Sequence, residues 1–336
     1  MIIQEASDQS AWDSFLCSQP FSPFLQSWTM GEVYKDINQE PIRLEVRDGT
    51  NIVGICQAIV VPARRGKHLS VSYGPVLSSI DALDSLIAEL KRIAKEKRCC
   101  FVRISPYWKA QSNEAKKLES QSKSSPLHML GEHIWYLPIK DKTEQEILMG
   151  MRKTTRNLVR RAEREGVKVT ASTNPLNDLD KFITLHEETR KRHHFTPYSN
   201  AFFRSQVEHF SKRDECTLYL AEYNNEIVAS SVHMHGAGET SYHHGASTHK
   251  YPKIPASYLL QWTAIKDSLK REDHTYSFWG IAPEGVKKHP FAGVTTFKRG
   301  FGGELLELMH CRDIPLSPRY NATRVFETLR KWHRGF

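Results

Sequence analysis

Thr217-Leu218-Tyr219-Leu220-Ala221-Glu222-Tyr223-Asn224-Asn225-Glu226-Ile227-Val228-Ala229-Ser230-Ser231-Val232-His233-Met234-His235 is two apolar, β-prone runs around one polar turn. Paired Asn residues between such runs predict a hairpin, with strands over 217–223 and 227–235. Downstream, Thr240–Ala246 reads as a third strand and Ala256–Lys270 as a helix. That helix can pack through Leu259, Leu260, Trp262, Ala264, Ile265 and Leu269. Thr275–Trp279 is the strand that follows. Upstream, the same order occurs once before. Pro41–Arg47 and Ile52–Val61 flank the turn Asp48-Gly49-Thr50-Asn51, and Leu69–Leu77 is a further strand. A helix over Asp81–Lys97 carries Leu83, Leu86, Ile87, Leu90 and Ile93 on one face, and Cys99–Ile104 is the strand after it. Trp135–Ile139 closes this region. A repeated hairpin, strand, helix and strand predicts an α/β (α+β) chain with two copies of one unit on a mixed sheet. A single larger α+β domain is the competing architecture.

With 336 residues the chain is long enough for two cores. Its net charge of +9 and pI near 9.2 favour an anionic partner: nucleic acid, phosphorylated metabolite or lipid headgroup. No run of about 18 apolar residues offers a membrane-spanning helix. Met1-Ile2-Ile3-Gln4-Glu5 lacks the basic and apolar regions of a signal peptide. The six cysteines form no C-x-x-C pair and read as reduced core thiols, without zinc or disulfides. These features predict a cytoplasmic protein.

Two stretches concentrate the positive charge. Thr143 to Gly166 reads as one long helix with Ile147, Leu148, Met151, Leu158, Val159 and Ala162 on its apolar side and Gly166 as its C-cap. On it Arg152, Arg156, Arg160 and Arg164 recur every four residues and form one ridge. Like charges at that spacing destabilise a helix mildly, so an anion that binds the ridge offsets the cost; a solvated basic face is the plainer alternative. The second stretch, Ile281 to Glu304, holds two prolines and five glycines and reads as a loop. It presents Phe297 and Lys298 beside Arg299, an aromatic with cations, suited to stacking on a base or sugar and holding an anion. Pro318–Phe336 reads as an amphipathic helix whose Val325, Leu329, Trp332 and Phe336 dock on the first domain.

Several chemistries are excluded. The chain has no G-x-x-x-x-G-K-[ST], G-x-G-x-x-G, G-x-S-x-G or H-E-x-x-H. The adjacent pair His243-His244 sits on a strand, where neighbours face opposite sides, so no metal site is expected. A coenzyme A acyltransferase carries an R/Q-x-x-G-x-G/A loop that opens a helix. The nearest match here, Arg299-Gly300-Phe301-Gly302-Gly303-Glu304, fails at its last position. A donor with a larger anionic handle fits better, and aminoacyl-tRNA suits the arginine ridge. No cofactor is expected.

The block Arg152-Lys153-Thr154-Thr155-Arg156-Asn157-Leu158-Val159-Arg160-Arg161-Ala162-Glu163-Arg164-Glu165-Gly166-Val167 resembles the basic helix of the FemABX peptidoglycan-bridge aminoacyltransferases. Ala256–Trp262, Phe278-Trp279-Gly280-Ile281 and Thr296–Gly302 are similar to that family's later motifs, in the same order. The resemblance implies two GNAT-like domains, 1–145 with 318–336 and 146–317, the last helix returning to the first. It implies transfer of an amino acid from aminoacyl-tRNA to a stem-peptide amine of a peptidoglycan precursor. That precursor is lipid II or its nucleotide-linked form. Phe297 and Lys298 then lie at the tRNA acceptor end. Arg152, Arg156, Arg160, Arg164 and Arg299 become tRNA contacts. Tyr34, Lys35, Tyr198, Tyr242 and His244 become substrate contacts. The sequence departs from the family at several of these. Tyr34 stands at the position of a substrate-phosphate Lys, with Lys35 beside it. His244 replaces a Tyr of the acceptor pocket, while Tyr242 remains. Tyr276-Ser277 replaces Tyr-Asp. These departures bear on which acceptor is used.

Aminolysis of an ester needs a neutral amine, and deprotonating a Lys-type amine at pH 7 costs about 4–5 kcal/mol. Tyr242, His244 or the tRNA itself is a candidate acceptor for that proton. Lys298 is the candidate that stabilises the tetrahedral oxyanion, a role worth about 3–4 kcal/mol. Such an enzyme acts in the cytoplasm, and with a lipid-linked acceptor it contacts the inner membrane face peripherally. Two rival readings are an N-acyltransferase using acyl-CoA or another thioester in envelope or exopolysaccharide synthesis, and a non-catalytic RNA-binding protein. The sequence leaves the oligomeric state unspecified.

Overall fold

The structure is a computed structural model. It describes residues 1–64, 66–193, 198–286 and 289–334, so Lys287, Lys288 and Phe336 lie outside the described residues. Two compact units divide the chain, 1–132 with 307–336 and 133–306.

The first unit runs β1 (Ile2–Glu5), α1 (Gln9–Cys17), α2 (Trp28–Asp36), β2 (Pro41–Asp48), β3 (Asn51–Val61), β4 (His68–Ser72), β5 (Val76–Leu77), α3 (Ala82–Glu96), β6 (Phe101–Ser105), α4 (Asn113–Glu119) and β7 (Lys123–Ser124). The second runs β8 (His133–Pro138), α5 (Glu144–Gly150), α6 (Lys153–Arg164), β9 (Lys168–Ala171), α7 (Pro175–His193), α8 (Asn200–Ser211), β10 (Cys216–Tyr223), β11 (Glu226–Gly236), β12 (Glu239–Ser247), α9 (Ala256–Lys270), β13 (Thr275–Gly280), α10 (Ala292–Arg299) and β14 (Glu304–Glu307). The chain then returns to the first unit through β15 (Arg312–Pro315) and α11 (Arg319–Arg334).

The two sheets share one plan. Their strand orders are β1-β2-β3-β4-β6-β15-β7 and β9-β10-β11-β12-β13-β8-β14. In each, three antiparallel pairings lead to a parallel one, β4 with β6 and β12 with β13. The parallel pair needs a crossover, supplied by α3 in one unit and α9 in the other. The hairpin that began the reading pairs Tyr223 with Glu226 across Asn224 and Asn225. Both turn residues have positive φ, which Asn tolerates, and such a turn matches the strand twist. Leu83, Leu86, Ile87 and Leu90 of α3 are fully buried against one sheet, and Leu259, Leu260, Trp262 and Ile265 of α9 against the other.

Five expectations need correction. Residues 1–40, where Trp12, Phe15 and Leu16 on one face predict a helical lead-in, open with strand β1 before α1. Leu69–Leu77 is two strands, because Tyr73 takes φ +52° and ends the extended run. The long helix over 143–166 is α5 and α6, broken where Met151 and Arg152 turn extended. The 281–304 stretch is not all loop: Phe297 and Lys298 lie on α10. The apolar stripe of α11 does not dock. Val325, Leu329 and Trp332 are exposed, and α11 instead packs through Tyr320 and Thr323. Of the cysteines, Cys17 is exposed and Cys100 half-buried, the other four buried.

Candidate active site

Beyond Ser241 and Ser277 the parallel strands β12 and β13 stop pairing. Each carries a bulge at that point. On β12, Val232 of the neighbouring strand faces His244 and His233 faces Tyr242, so His243 is the extra residue. On β13, Ser277 and Gly280 face Tyr136 and Ile134, which leaves Phe278 and Trp279 opposite one residue. Trp279 has φ +63°, a left-handed backbone that a bulky side chain adopts at a cost. Bulges redirect side chains and end pairing. Here they open a gap between two strands and turn the Gly280 carbonyl into it.

Lys298 fills that gap from α10. Its Nζ donates to the Gly280 carbonyl at 2.7 Å and lies 5.7 Å from the centre of the Tyr242 ring. The residue is 6% exposed. Burial penalises the ammonium and lowers its pKa from the usual lysine value to about 7. Tyr242 is held by Gly245, where a Cβ would sit 1.8 Å from the tyrosine hydroxyl. Burial raises the Tyr242 pKa to about 12, so it stays protonated at neutral pH. Behind it His233 stacks on the Tyr242 ring at 5.4 Å and meets the Tyr276 hydroxyl at 2.8 Å. Tyr276 in turn donates to Gln261 of α9 at 2.7 Å. Ser231 lies 3.3 Å from the other His233 nitrogen. Burial, with His235 nearby, drives the His233 pKa well below its usual value, so the ring is neutral.

The second bulge extends the site sideways. The rings of His243 and His244 stand 3.8 Å apart, and His243 packs edge-on to Trp279 at 5.0 Å. The expectation that these two histidines face opposite sides therefore fails, because the bulge removes the alternation between them. Both are neutral at pH 7: burial lowers His243 to about 3 and takes His244 far down. His244 Nε2 lies 3.1 Å from Gln206 of α8, and Tyr198 lies 5.5 Å from the His244 ring. Tyr198 is 48% exposed and stacks on Phe202. A continuous arc thus runs Lys298, Gly280, Trp279, His243, His244, Tyr198. Among the described residues no cluster of His, Cys, Asp or Glu is arranged to hold a metal.

Phe297 is half-buried against Tyr258 and Phe301, at 4.8 and 5.3 Å, and forms an aromatic wall beside Lys298. Arg299 lies over the Trp135 ring at 5.0 Å and pairs with Glu284 at 2.8 Å. Its charge is therefore already met within the chain. The arginine ridge divides in the same way. Arg156 donates to the carbonyls of Met149 and Met151 and so caps the end of α5. Arg152, Arg160 and Arg164 stand exposed and make no ion pair among the described residues. Tyr34 and Lys35 belong to the other unit, where Tyr34 is buried and Lys35 pairs with Glu32 at 3.2 Å.

The failed pyrophosphate loop has a structural counterpart. Gly300, Phe301 and Gly302 donate their N–H groups back to Phe297, Lys298 and Arg299, so the segment closes α10 and opens no helix. The helix after the splayed strand, α9, follows Tyr251-Pro252-Lys253-Ile254-Pro255, which contains no glycine. Sequence reading missed the Gly280 carbonyl, Gly245, Gln206 and the relay His233–Tyr276–Gln261. The aromatic-glycine pair Trp279-Gly280 at a strand end was the one local signal.

The FemAB family model matches residues 8–134, and the acetyltransferase (GNAT) domain model matches residues 149–299. Aminoacyltransferase FemA of Staphylococcus aureus (strain MW2) is 19% identical over 382 residues, spanning 88% of this chain and 90% of FemA. The crystal structure of FemX superposes with a TM-score of 0.83 at 19% identity, covering 97% of this chain and all of FemX. A tandem GNAT protein from the clavulanic acid biosynthesis pathway aligns with a TM-score of 0.56 at 10% identity, over 94% of this chain and 98% of its own. Along its two halves the chain is thus similar to the FemABX aminoacyltransferases and to GNAT acyltransferases, and it shares the two-sheet fold of FemX.

Proposed function

We propose that this enzyme transfers an amino acid from aminoacyl-tRNA to a stem-peptide amine of a peptidoglycan precursor, either lipid II or its nucleotide-linked form. The observation that carries the reading is Lys298, buried where β12 and β13 part, hydrogen-bonded to Gly280 and beside Tyr242. A buried amine with a pKa near 7 is neutral often enough to accept a proton and charged once it has done so. The acceptor amine attacks the ester carbonyl carbon, and its nitrogen releases a proton to Lys298 Nζ as the C–N bond forms. The resulting ammonium faces the oxyanion of the tetrahedral intermediate. Collapse breaks the C–O bond, and Lys298 returns the proton to the departing ribose oxygen. Phe297 offers a face to the acceptor-end base or sugar, while Arg152, Arg160 and Arg164 meet tRNA phosphates. Tyr198, His244 and Tyr242 line the acceptor side. An aminoacyl-tRNA donor supports a reaction on the cytoplasmic side of the membrane.

The test supplies a radiolabelled aminoacyl-tRNA pool with lipid II or the nucleotide-linked precursor. Label on the precursor that requires intact tRNA, and falls at least 100-fold in Lys298→Ala, supports the reading. Transfer only from an acyl thioester would replace the donor. Binding of tRNA with no transfer to any acceptor would leave an RNA-binding protein.

A further inference from the structure

We propose that the outer face of α11 docks on an anionic phospholipid bilayer. Tyr320 and Thr323 face the sheet, 1% and 4% exposed. Glu327 turns the same way and pairs with Arg103 at 2.7 Å. With Tyr320 at 0° and a helical step of about 100°, Trp332, Val325, Leu329, Ala322 and Phe326 fall between about 120° and 240°. That arc points away from the protein. Val325 is 60% exposed, Phe326 37%, Leu329 59% and Trp332 86%. A soluble helix normally buries such a stripe; this one buries the opposite side.

Charge selects the occupant. The helix holds five basic residues, Arg319, Arg324, Arg330, Lys331 and Arg334, and one acid, Glu327, giving 5 − 1 = +4. The one carboxylate is turned inward to Arg103, so the outer arc carries none. By the same rotation Arg319 and Arg330 border the arc at about 260° and 280°, while Arg324 and Lys331, at about 40° and 20°, lie on the inward side, where Arg324 donates to the Ser124 carbonyl. An apolar strip with aromatic residues, edged by cations, is the composition of helices that lie in a membrane interface. The apolar side chains enter the acyl boundary while the cations meet phosphate headgroups. A second copy of this chain would bring the same positive charge to the contact and be repelled. The described residues contain no helix long and apolar enough to cross a membrane, so such contact is peripheral. The proposal stands on α11 alone and goes beyond the catalytic reading.

The experiment uses the full chain and vesicles of phosphatidylcholine with or without about one-third phosphatidylglycerol, assayed by flotation. Wild type is expected to float with the anionic vesicles only, and less as salt rises. The double variant Val325→Glu/Leu329→Glu is expected to lose at least tenfold in partitioning with an unchanged urea midpoint, since both side chains are exposed. Arg319→Gln and Arg330→Gln should each weaken binding about fivefold. Lys298→Ala should float like wild type even where transfer is abolished, which separates this proposal from the catalytic one. Equal flotation of the Glu double variant overturns the proposal. So does a wild-type dimer in light scattering that the double variant makes monomeric while neither binds vesicles.

Discussion

A lysine placed in an apolar gap reports on its surroundings through its proton. The folded-state pKa of Lys298 is near 7, while an unfolded lysine titrates near 10.4. Between those values the unfolded chain binds more protons than the folded one, so this group makes stability rise with pH across that window. Below about 7 both states are protonated and the penalty is constant. Lys298→Met removes the group and keeps most of its volume. The variant is expected to be more stable than wild type at pH 7, with the gap shrinking by about 1.4 kcal/mol per pH unit toward pH 10. Urea unfolding of both proteins at pH 7, 8 and 9 reads this directly, and a pH-independent gap would refute the buried site. Trp279 gives a second residue-scale test. Its φ of +63° suits glycine, so Trp279→Gly should be more stable than Trp279→Ala by about 1 kcal/mol. The reverse order in thermal unfolding would mean that the left-handed backbone is absent.

At the scale of elements, the sequence made strands, hairpin turns and packed helix faces legible because each depends on local periodicity or turn chemistry. The faces of α3 and α9 were readable from spacing alone, and the Asn224-Asn225 turn from residue type. The bulges were not readable. A bulge is a mismatch between two strands, so neither β12 nor β13 carries it in its own pattern. The gap that holds Lys298, the closeness of His243 to His244 and the turned Gly280 carbonyl all follow from those mismatches. The break between α5 and α6 was hidden for a related reason: Arg152 N–H bonds to the Gly300 carbonyl, a partner distant in sequence. Gly300 itself allows this approach, since a Cβ there would lie 2.3 Å from Thr155 Oγ1. The evenly spaced arginines consequently do different jobs. Arg160→Ala with Arg164→Ala should leave unfolding unchanged and lower the salt slope of tRNA binding by about 1.5 to 2. Arg156→Ala should instead cost about 1–2 kcal/mol of stability, because two carbonyls at the end of α5 lose a charged donor. If Arg156→Ala behaved like the other two, the capping geometry would be wrong.

At the scale of the whole molecule, the matching strand orders raise the question of what keeps each sheet complete. The sixth strand is antiparallel in both, yet β8 precedes its unit's other strands and β15 comes from the returning chain. The first unit therefore depends on a segment about two hundred residues distant from its neighbour β6. A buried charge cluster fixes that return. Arg103 of β6 donates to both oxygens of Asp313 of β15, at 2.7 and 2.9 Å, and to Glu327 of α11. Tyr320 donates to the same Asp313 at 3.1 Å. Asp313 is fully buried, so truncating it leaves Arg103 partly uncompensated in an apolar setting, a loss of about 3–5 kcal/mol. Asp313→Ala is expected to lower the unfolding free energy by that amount in the first unit. Amide exchange should quicken in β2, β3, β4 and β6, while β10 to β13 keep their protection. Equal loss of protection in both sheets would show one cooperative body. Selective loss would show that each sheet holds its own core and that Asp313 closes only the first.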